Sequence, residues 1–261
     1  MRAFITTLSV LACVVLLAAG HFYWKNKTDI SSFKASADQV NKEETEIEPT
    51  EVEESELVTI DLFERTVNWP STAQADFRAA LESGGQYKLA IVGSPALGKE
   101  TGGWSAQLQD ALVDTYGDEN IEVGIFEYDL SSDQFISGGH VDEIAVWKPD
   151  FVLFEPFNWI DNAGAPQHNS GNIEKFADAL GGAVLVLQPP HPVYNTSSYP
   201  AQVGTLKEFA ESEGFEYWDH WSEWPDIQDP ELETYIQDRD VPNEKGHELW
   251  FTFLKNRFIA D

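Results

Sequence analysis

Polar side chains that could carry out nucleophilic chemistry follow several apolar runs of this sequence. Ser94 comes just after the run 89–92, Glu155 ends the run 150–155, and His191 follows the run 183–188. Asp238 and His247 lie on either side of the point where the last amphipathic segment begins. A serine beside a histidine and a carboxylate can attack an acyl carbonyl, because the histidine removes its proton. These residue types therefore predict acyl transfer, provided that the fold brings them together.

The elements that would position these residues alternate along the chain. Continuous apolar runs predict strands, and apolar residues at helical spacing predict the helices between them. This alternation predicts an α/β fold, a three-layer α/β/α sandwich with a doubly wound, parallel, five-stranded, flavodoxin-like sheet. The predicted strands are 89–92, 121–126, 150–155, 183–188 and 215–218, and the predicted helices are 71–81, 102–116, 140–147, 171–180, 200–213 and 243–258.

Ligands of such sheets bind beyond the carboxyl ends of the strands, where the polar residues above are expected. Asn158 and Asp161 follow the third predicted strand and are further candidates for substrate binding, with Glu155 and His191. A carboxylate at the end of a buried strand, such as Glu155, is desolvated unless it is paired. Each candidate also has a purely structural interpretation, and Ser94 in particular could be a turn or N-cap residue.

The amino-terminal part predicts export. Residues 4–24 are almost entirely apolar, which is long enough for a membrane-spanning helix. Ala18-Ala19-Gly20 could be a cleavage site, whereas the aromatic residues 22–24 favour a retained anchor; a lipobox at residues 10–13 fits less well. The predicted organisation is an anchor or signal peptide at 1–27, an acidic disordered linker at 28–57 and a globular domain at 58–261. That domain is expected outside the cytoplasm.

Charge and composition exclude several function classes. The formal net charge of −29 disfavours nucleic acid and anionic membrane surfaces as partners. The only cysteine, Cys13, lies in the apolar segment, and the six histidines are scattered along the chain. We therefore expect no disulfide, no metal and no cofactor, and a monomer that acts on a small-molecule or polysaccharide substrate.

Three stretches give the chain a resemblance to a known family. They are residues 92–98 (VGSPALG) followed by Gly103-Trp104, residues 148–154 (KPDFVLF) and residues 242–250 (PNEKGHELW). With them the region 87–260 resembles the SGNH/GDSL hydrolases, and the Pro-Asn-x-x-Gly-His run that opens the last helix is the most specific of the three. The resemblance implies an esterase, lipase or carbohydrate deacetylase without a metal. Its serine nucleophile works with a late Asp-x-x-His pair and an oxyanion hole that includes an asparagine.

On this chain we expect Ser94 to be the nucleophile, His247 or His191 its base, Asp238 the carboxylate that orients the base, and Asn158 an oxyanion donor. The resemblance matches His247 to the family's second histidine, whose usual role is structural. The chain departs from the family pattern at three positions. Pro95 stands at the nucleophile position, Ile160 at the asparagine position and Val241 at the catalytic histidine position. Two hypotheses follow: a cell-surface ester hydrolase or deacetylase, and a catalytically degenerate relative that binds a surface glycan or a partner protein.

Overall fold

The structure is a computed structural model and describes residues 61–237 and 241–260. The predicted anchor and linker, and the candidate Asp238, lie outside these ranges. None of the helices in the described ranges is long and apolar enough to cross a membrane.

A parallel five-stranded sheet forms the centre of the described region, which confirms the predicted fold class. Its strands lie in the order β2-β1-β3-β4-β5. β1 lies between β2 and β3; it pairs with β2 along its whole length and with β3 over residues 89–92, with Val92 opposite Phe126 and Phe154. The strands are β1 (Tyr87–Gly93), β2 (Ile121–Glu127), β3 (Phe151–Phe154), β4 (Val184–Leu187) and β5 (Glu216–Tyr217).

Helices connect the strands, and the long ones lie close to their predicted ranges. Two short helices, α3 and α5, were not predicted, because six or four residues are too few to display a helical period. The helices are α1 (Ser71–Glu82), α2 (Trp104–Tyr116), α3 (Ser132–Ser137), α4 (His140–Trp147), α5 (Asn158–Asp161), α6 (Asn169–Ala179), α7 (Tyr199–Glu213) and α8 (Glu244–Phe258).

The two faces of the sheet are covered by separate apolar clusters. Successive residues of β1 point to opposite faces, so Leu89 and Ile91 join one cluster while Ala90 and Val92 join the other. All four side chains are fully buried. Burial on both faces explains why the strand is a continuous apolar run rather than an alternating one.

The N-terminus of α8 is fixed by Asn243. The Asn243 Oδ1 accepts a hydrogen bond from Gly246 N at 3.2 Å, and its Nδ2 donates to Thr234 O at 2.9 Å. We expect Asn243→Ala to lower the free energy of unfolding by about 1 kcal/mol, because it leaves helix N–H groups without an acceptor. Urea denaturation measures this change. Asn256→Ala, at an exposed position of the same helix, is the matched control, and an equal loss in both variants would contradict the capping role.

Candidate active site

Ser94 lies at the carboxyl end of β1 and is largely buried. Only 5% of the residue is exposed. Its Oγ accepts a hydrogen bond from Ala96 N at 3.2 Å and so caps the short 3₁₀ turn Pro95–Leu97. The structural role considered from the sequence is therefore present. It occupies a lone pair of the hydroxyl oxygen and leaves the hydroxyl proton available for another partner.

Glu155 lies beside Ser94. β1 and β3 are neighbours with Val92 opposite Phe154, so the residues that follow the two strands meet. The Glu155 Oε2 accepts a hydrogen bond from Ser94 N at 2.7 Å, and the Ser94 hydroxyl also lowers the pKa of this carboxyl group. Gly93 permits this approach, since a Cβ there would lie 2.6 Å from Oε2.

The environment of Glu155 favours its neutral form. The residue is completely buried, and burial raises the pKa of its carboxyl group to about 8. The hydrogen bonds from Ser94 act in the opposite direction, and the charge of Glu127 raises the pKa further. Its Oε1 has no hydrogen-bond partner among the described residues. A carboxyl group with a pKa near neutral can act as a general base close to physiological pH.

The raised pKa predicts that stability falls with pH. Glu155 is ionised above pH 4.5 when the chain is unfolded but only above about pH 8 when it is folded, so the folded state holds one more proton between these values. The stabilisation is complete below pH 4.5 and is lost as the pH rises to 8. Burial lowers the pKa of His220 to about 3 and that of His247 to about 4, which has the opposite effect, but only below pH 6.5.

The window from pH 6.5 to 8 therefore separates the effect of Glu155 from that of the two histidines. There we expect the free energy of unfolding to fall by about 1.4 kcal/mol per pH unit, about 2 kcal/mol in total. Denaturant titrations at a series of pH values measure the slope, and Glu155→Gln should remove it. A wild-type slope that survives in Glu155→Gln would assign the proton to another group.

A cavity of about 590 Å³ opens beside Ser94 at the carboxyl edge of the sheet. Pro95, Glu127, Val241 and His247 line this carboxyl-edge cavity, whereas Ser94 itself does not. The Glu127 Oε2 accepts a hydrogen bond from Lys99 N at 2.8 Å, and burial raises the pKa of Glu127. Val241, which stands at the family position of the catalytic histidine, therefore presents an apolar side chain to the cavity.

The imidazole of His247 contacts the backbone of the segment that follows β1. Its Nδ1 accepts a hydrogen bond from Trp104 N at 3.2 Å, which leaves the proton of the neutral ring on Nε2. The ring packs against Gly98 and Gly103, where an added Cβ would lie 2.8 Å and 2.7 Å from Cε1. No hydrogen bond joins His247 to Ser94 within the described ranges. The expected serine–histidine pair is therefore not formed, and the described partner of Ser94 is a carboxyl group.

The remaining predicted residues lie on two other loops. His191 follows β4 and is buried near Trp159, whose ring centroid is 6.2 Å from that of the imidazole. Its backbone O accepts a hydrogen bond from Tyr199 OH at 3.0 Å. Asn158 and Asp161 are the first and last residues of α5 and are both buried. They lie in a hydrogen-bond network with Asn169 rather than beside Ser94.

The carboxylate of Asp161 is hydrogen-bonded to two other segments of the chain. Its Oδ1 accepts from Ser132 N at 2.9 Å, and its Oδ2 accepts from Asn169 Nδ2 at 2.8 Å. With both oxygens engaged, the side chain connects α3, α5 and α6. The prediction that Asp161 binds substrate therefore lacks a free oxygen to support it.

His220 is a polar residue that sequence reasoning missed. It is fully buried, donates from Nε2 to Pro189 O at 2.8 Å and accepts from Trp224 Nε1 at 2.8 Å. Its ring stacks on Trp250 at 4.1 Å. Trp218 and Trp224 are likewise buried and belong to the core. The only sequence signal was the position of His220 within the aromatic run 218–224 (WDHWSEW).

Within residues 61–237 and 241–260, no group of three or more His, Cys, Asp or Glu side chains could hold a metal ion. The carboxyl edge presents a serine hydroxyl, the carboxyl groups of Glu155 and Glu127, whose pKa values are raised, and nearby backbone N–H groups.

Known structures share this fold. A GDSL-like lipase from Bacteroides thetaiotaomicron is 12% identical with a TM-score of 0.51, covering 70% of this chain and 97% of that one. An acetylxylan esterase from Geobacillus stearothermophilus is 13% identical with a TM-score of 0.52, covering 66% and 94%. A GDSL-like lipase from Parabacteroides merdae is 9% identical with a TM-score of 0.56, covering 66% and 95%.

The chain therefore has the SGNH/GDSL hydrolase fold, as the sequence resemblance implied. At such low identities the likeness establishes the fold and not the activity. No model of a known protein family matches the chain. No curated protein matches it either.

Proposed function

We propose that this protein is an SGNH-type ester hydrolase in which Ser94 is the nucleophile and Glu155 is its base. The observation that carries the proposal is the hydrogen bond from the Ser94 amide to a buried carboxyl group of raised pKa, which places that carboxyl group beside the serine. A nucleophile beside a base is the arrangement that acyl transfer requires. Glu155 would then take the part that the family gives to the histidine, whose position holds Val241.

The reaction would proceed in two halves. Ionised Glu155 takes the proton of the Ser94 hydroxyl as the oxygen attacks the acyl carbon, and the collapsing tetrahedral intermediate expels an alcohol that receives this proton. Water then attacks the acyl-enzyme with Glu155 again as base, releasing the carboxylic acid and restoring Ser94. The Ser94 N–H bond to Oε2 would hold the carboxylate in position during both steps.

A small acyl ester of a neutral alcohol suits the surroundings best. Glu127 lines the carboxyl-edge cavity, and the whole chain carries a formal charge of −29, so an anionic substrate would be repelled. One structure with this fold is an acetylxylan esterase, which supports an acetylated carbohydrate as the substrate class. We also propose that the protein acts outside the cytoplasm, held by the apolar segment 4–24.

Turnover of p-nitrophenyl acetate by the full-length chain tests the proposal. Wild type should hydrolyse the ester with a burst of p-nitrophenol, whereas Ser94→Ala should lose both the burst and the turnover. Ser83→Ala, a serine on the exposed surface after α1, is the matched control and should behave as wild type. Equal rates in wild type and Ser94→Ala would remove Ser94 from the mechanism.

A second candidate function is binding without catalysis. It is favoured by the burial of Ser94, which does not line the carboxyl-edge cavity, and by Val241 at the family histidine position. In that case neither wild type nor Ser94→Ala hydrolyses any short-chain ester, while a glycan still binds. Binding of acetylated xylo-oligosaccharides without release of acetate would select this second function.

A further inference from the structure

Two glutamate residues flank Gly93, the last residue of β1. Gly93 pairs with Glu127 on one side, and the pairing of Val92 with Phe154 places Glu155 beside it on the other. Side chains of residues at the same level of neighbouring strands project from the same face of the sheet. The Glu155 side chain leans over Gly93, since its Oε2 lies 2.6 Å from the position of an added Cβ. The two glutamate side chains are therefore separated by a residue that has no side chain.

The two carboxyl groups have unequal surroundings. Glu155 is completely buried, whereas Glu127 is half-buried and lines the carboxyl-edge cavity. The Glu127 Oε2 accepts a hydrogen bond from Lys99 N at 2.8 Å, which stabilises the ionised form. Burial opposes ionisation of both groups, and it does so more strongly in Glu155, which is wholly enclosed. As the pH rises, Glu127 therefore loses its proton first, and Glu155 must ionise beside a negative charge.

Other ionisable groups surround the pair from three elements. They are Tyr199 on α7, His247 on α8, and Lys99 and Glu100 in the loop after β1. Burial raises the pKa of Tyr199 and lowers that of His247 to about 4, so both are neutral between pH 6.5 and 8. Lys99 and Glu100 carry opposite charges and act on Glu127 in opposite directions. The charge that acts on Glu155 in this range is therefore that of Glu127.

We propose that Glu127 is a positioning residue for ester hydrolysis, whose carboxylate acts across the gap at Gly93 and controls when Glu155 can accept the proton of Ser94. Two strand spacings, about 10 Å, separate the backbones of the two glutamates. At that distance the repulsion between two charges in a protein moves a titration midpoint by about one pH unit. The catalytic meaning of this control rests on the proposed function, whereas the coupling of the two carboxyl groups does not.

Substitution separates the charge of Glu127 from its hydrogen bond to the loop after β1. Glu127→Gln keeps the shape of the side chain and an acceptor oxygen for Lys99 N but removes the charge. Glu127→Asp keeps the charge. Glu122→Gln is the matched control, because it removes the same charge from the opposite end of the same strand, where Glu122 pairs with Lys88.

Infrared difference spectroscopy of the full-length protein measures the ionisation of Glu155 without any turnover. The C=O band of a protonated carboxyl group that is absent from Glu155→Gln belongs to Glu155, and its loss with rising pH gives the midpoint. We expect a midpoint near pH 8 in wild type, Glu127→Asp and Glu122→Gln, and one about one pH unit lower in Glu127→Gln. Equal midpoints in wild type and Glu127→Gln would overturn the proposal.

The pH profile of kcat/KM for p-nitrophenyl acetate tests the catalytic part. Its midpoint should fall by the same amount in Glu127→Gln, because only ionised Glu155 can accept the serine proton. A purely structural role of Glu127 would lower the plateau and leave the midpoint in place, and that result would overturn the role in hydrolysis. A shifted infrared midpoint in a protein that hydrolyses no ester would instead refute the proposed function and retain the control of Glu155 by Glu127.

Discussion

Replacing Glu155 with glutamine should lower kcat/KM for a short-chain acyl ester by about 10³-fold, close to the effect of Ser94→Ala. A general base contributes about 10² to 10⁴ in rate, and glutamine keeps the shape of the side chain without its proton affinity. Because the two groups act in one step, the double variant should be hardly slower than either single variant. Stopped-flow and steady-state hydrolysis of p-nitrophenyl acetate measure all three.

The pH profile gives the same prediction a second, independent test. Only the ionised carboxyl group can accept the serine proton, and its pKa is raised to about 8. The wild-type kcat/KM should therefore rise about tenfold per pH unit below pH 8 and level off above it. Glu174→Gln, an exposed carboxylate on α6, is the control and should keep the wild-type profile. A Glu155→Gln rate within about threefold of wild type would exclude Glu155 as the base.

Gly93→Ala is expected to have the largest effect on stability. An added methyl group would lie 2.6 Å from Glu155 Oε2, 3.0 Å from Glu155 Cβ and 3.1 Å from Glu155 O. Glu155 directly follows β3, and its N–H donates to Val92 O at 2.9 Å, so its backbone oxygen cannot move aside as readily as the end of a side chain could. Overpacking of this kind costs about 3 kcal/mol, and the displaced carboxyl group would also lose its contact with Ser94.

Urea denaturation compares Gly93→Ala with Gly204→Ala. Gly204 lies within α7, and an added Cβ there meets nothing within 4 Å. That control should be stabilised by about 0.5 to 1 kcal/mol, since alanine is the better helix former. The midpoints should therefore move in opposite directions. A Gly93→Ala protein as stable as wild type would mean that Glu155 can reorient freely, and the proposed positioning of Ser94 would lose its basis.

The sheet could be predicted from the sequence because each strand carries its own signal. β1 and β3 are buried on both faces, so both are short, continuous apolar runs, and the helices between them have regular apolar spacing. The short helices α3 and α5 lack such a signal. Predicted strand five was longer than β5, since only Glu216 and Tyr217 pair with β4.

The sequence predicted the edge of the sheet at which the site lies, but not which side chains meet there. Ser94 and Glu155 were both placed at the carboxyl edge, but their contact depends on the register of two strands 61 residues apart, which no local pattern encodes. His247 was a candidate for the catalytic base, yet its Nδ1 accepts a hydrogen bond from Trp104 N at 3.2 Å. The hydrogen bonds of Asp161 to Ser132 and Asn169 could not be predicted for the same reason, because they join separate segments.

The last helix has a consequence for the order of folding during synthesis. The backbone carbonyl of Phe258 accepts buried hydrogen bonds from Trp69 Nε1 at 2.7 Å and from Tyr116 OH at 2.6 Å. These partners precede it by 189 and 142 residues. Contacts of such sequence separation form late and slowly. A ribosome-bound chain that stops before Phe258 should therefore stay protease-sensitive, and the native domain should close only after α8 has left the ribosome.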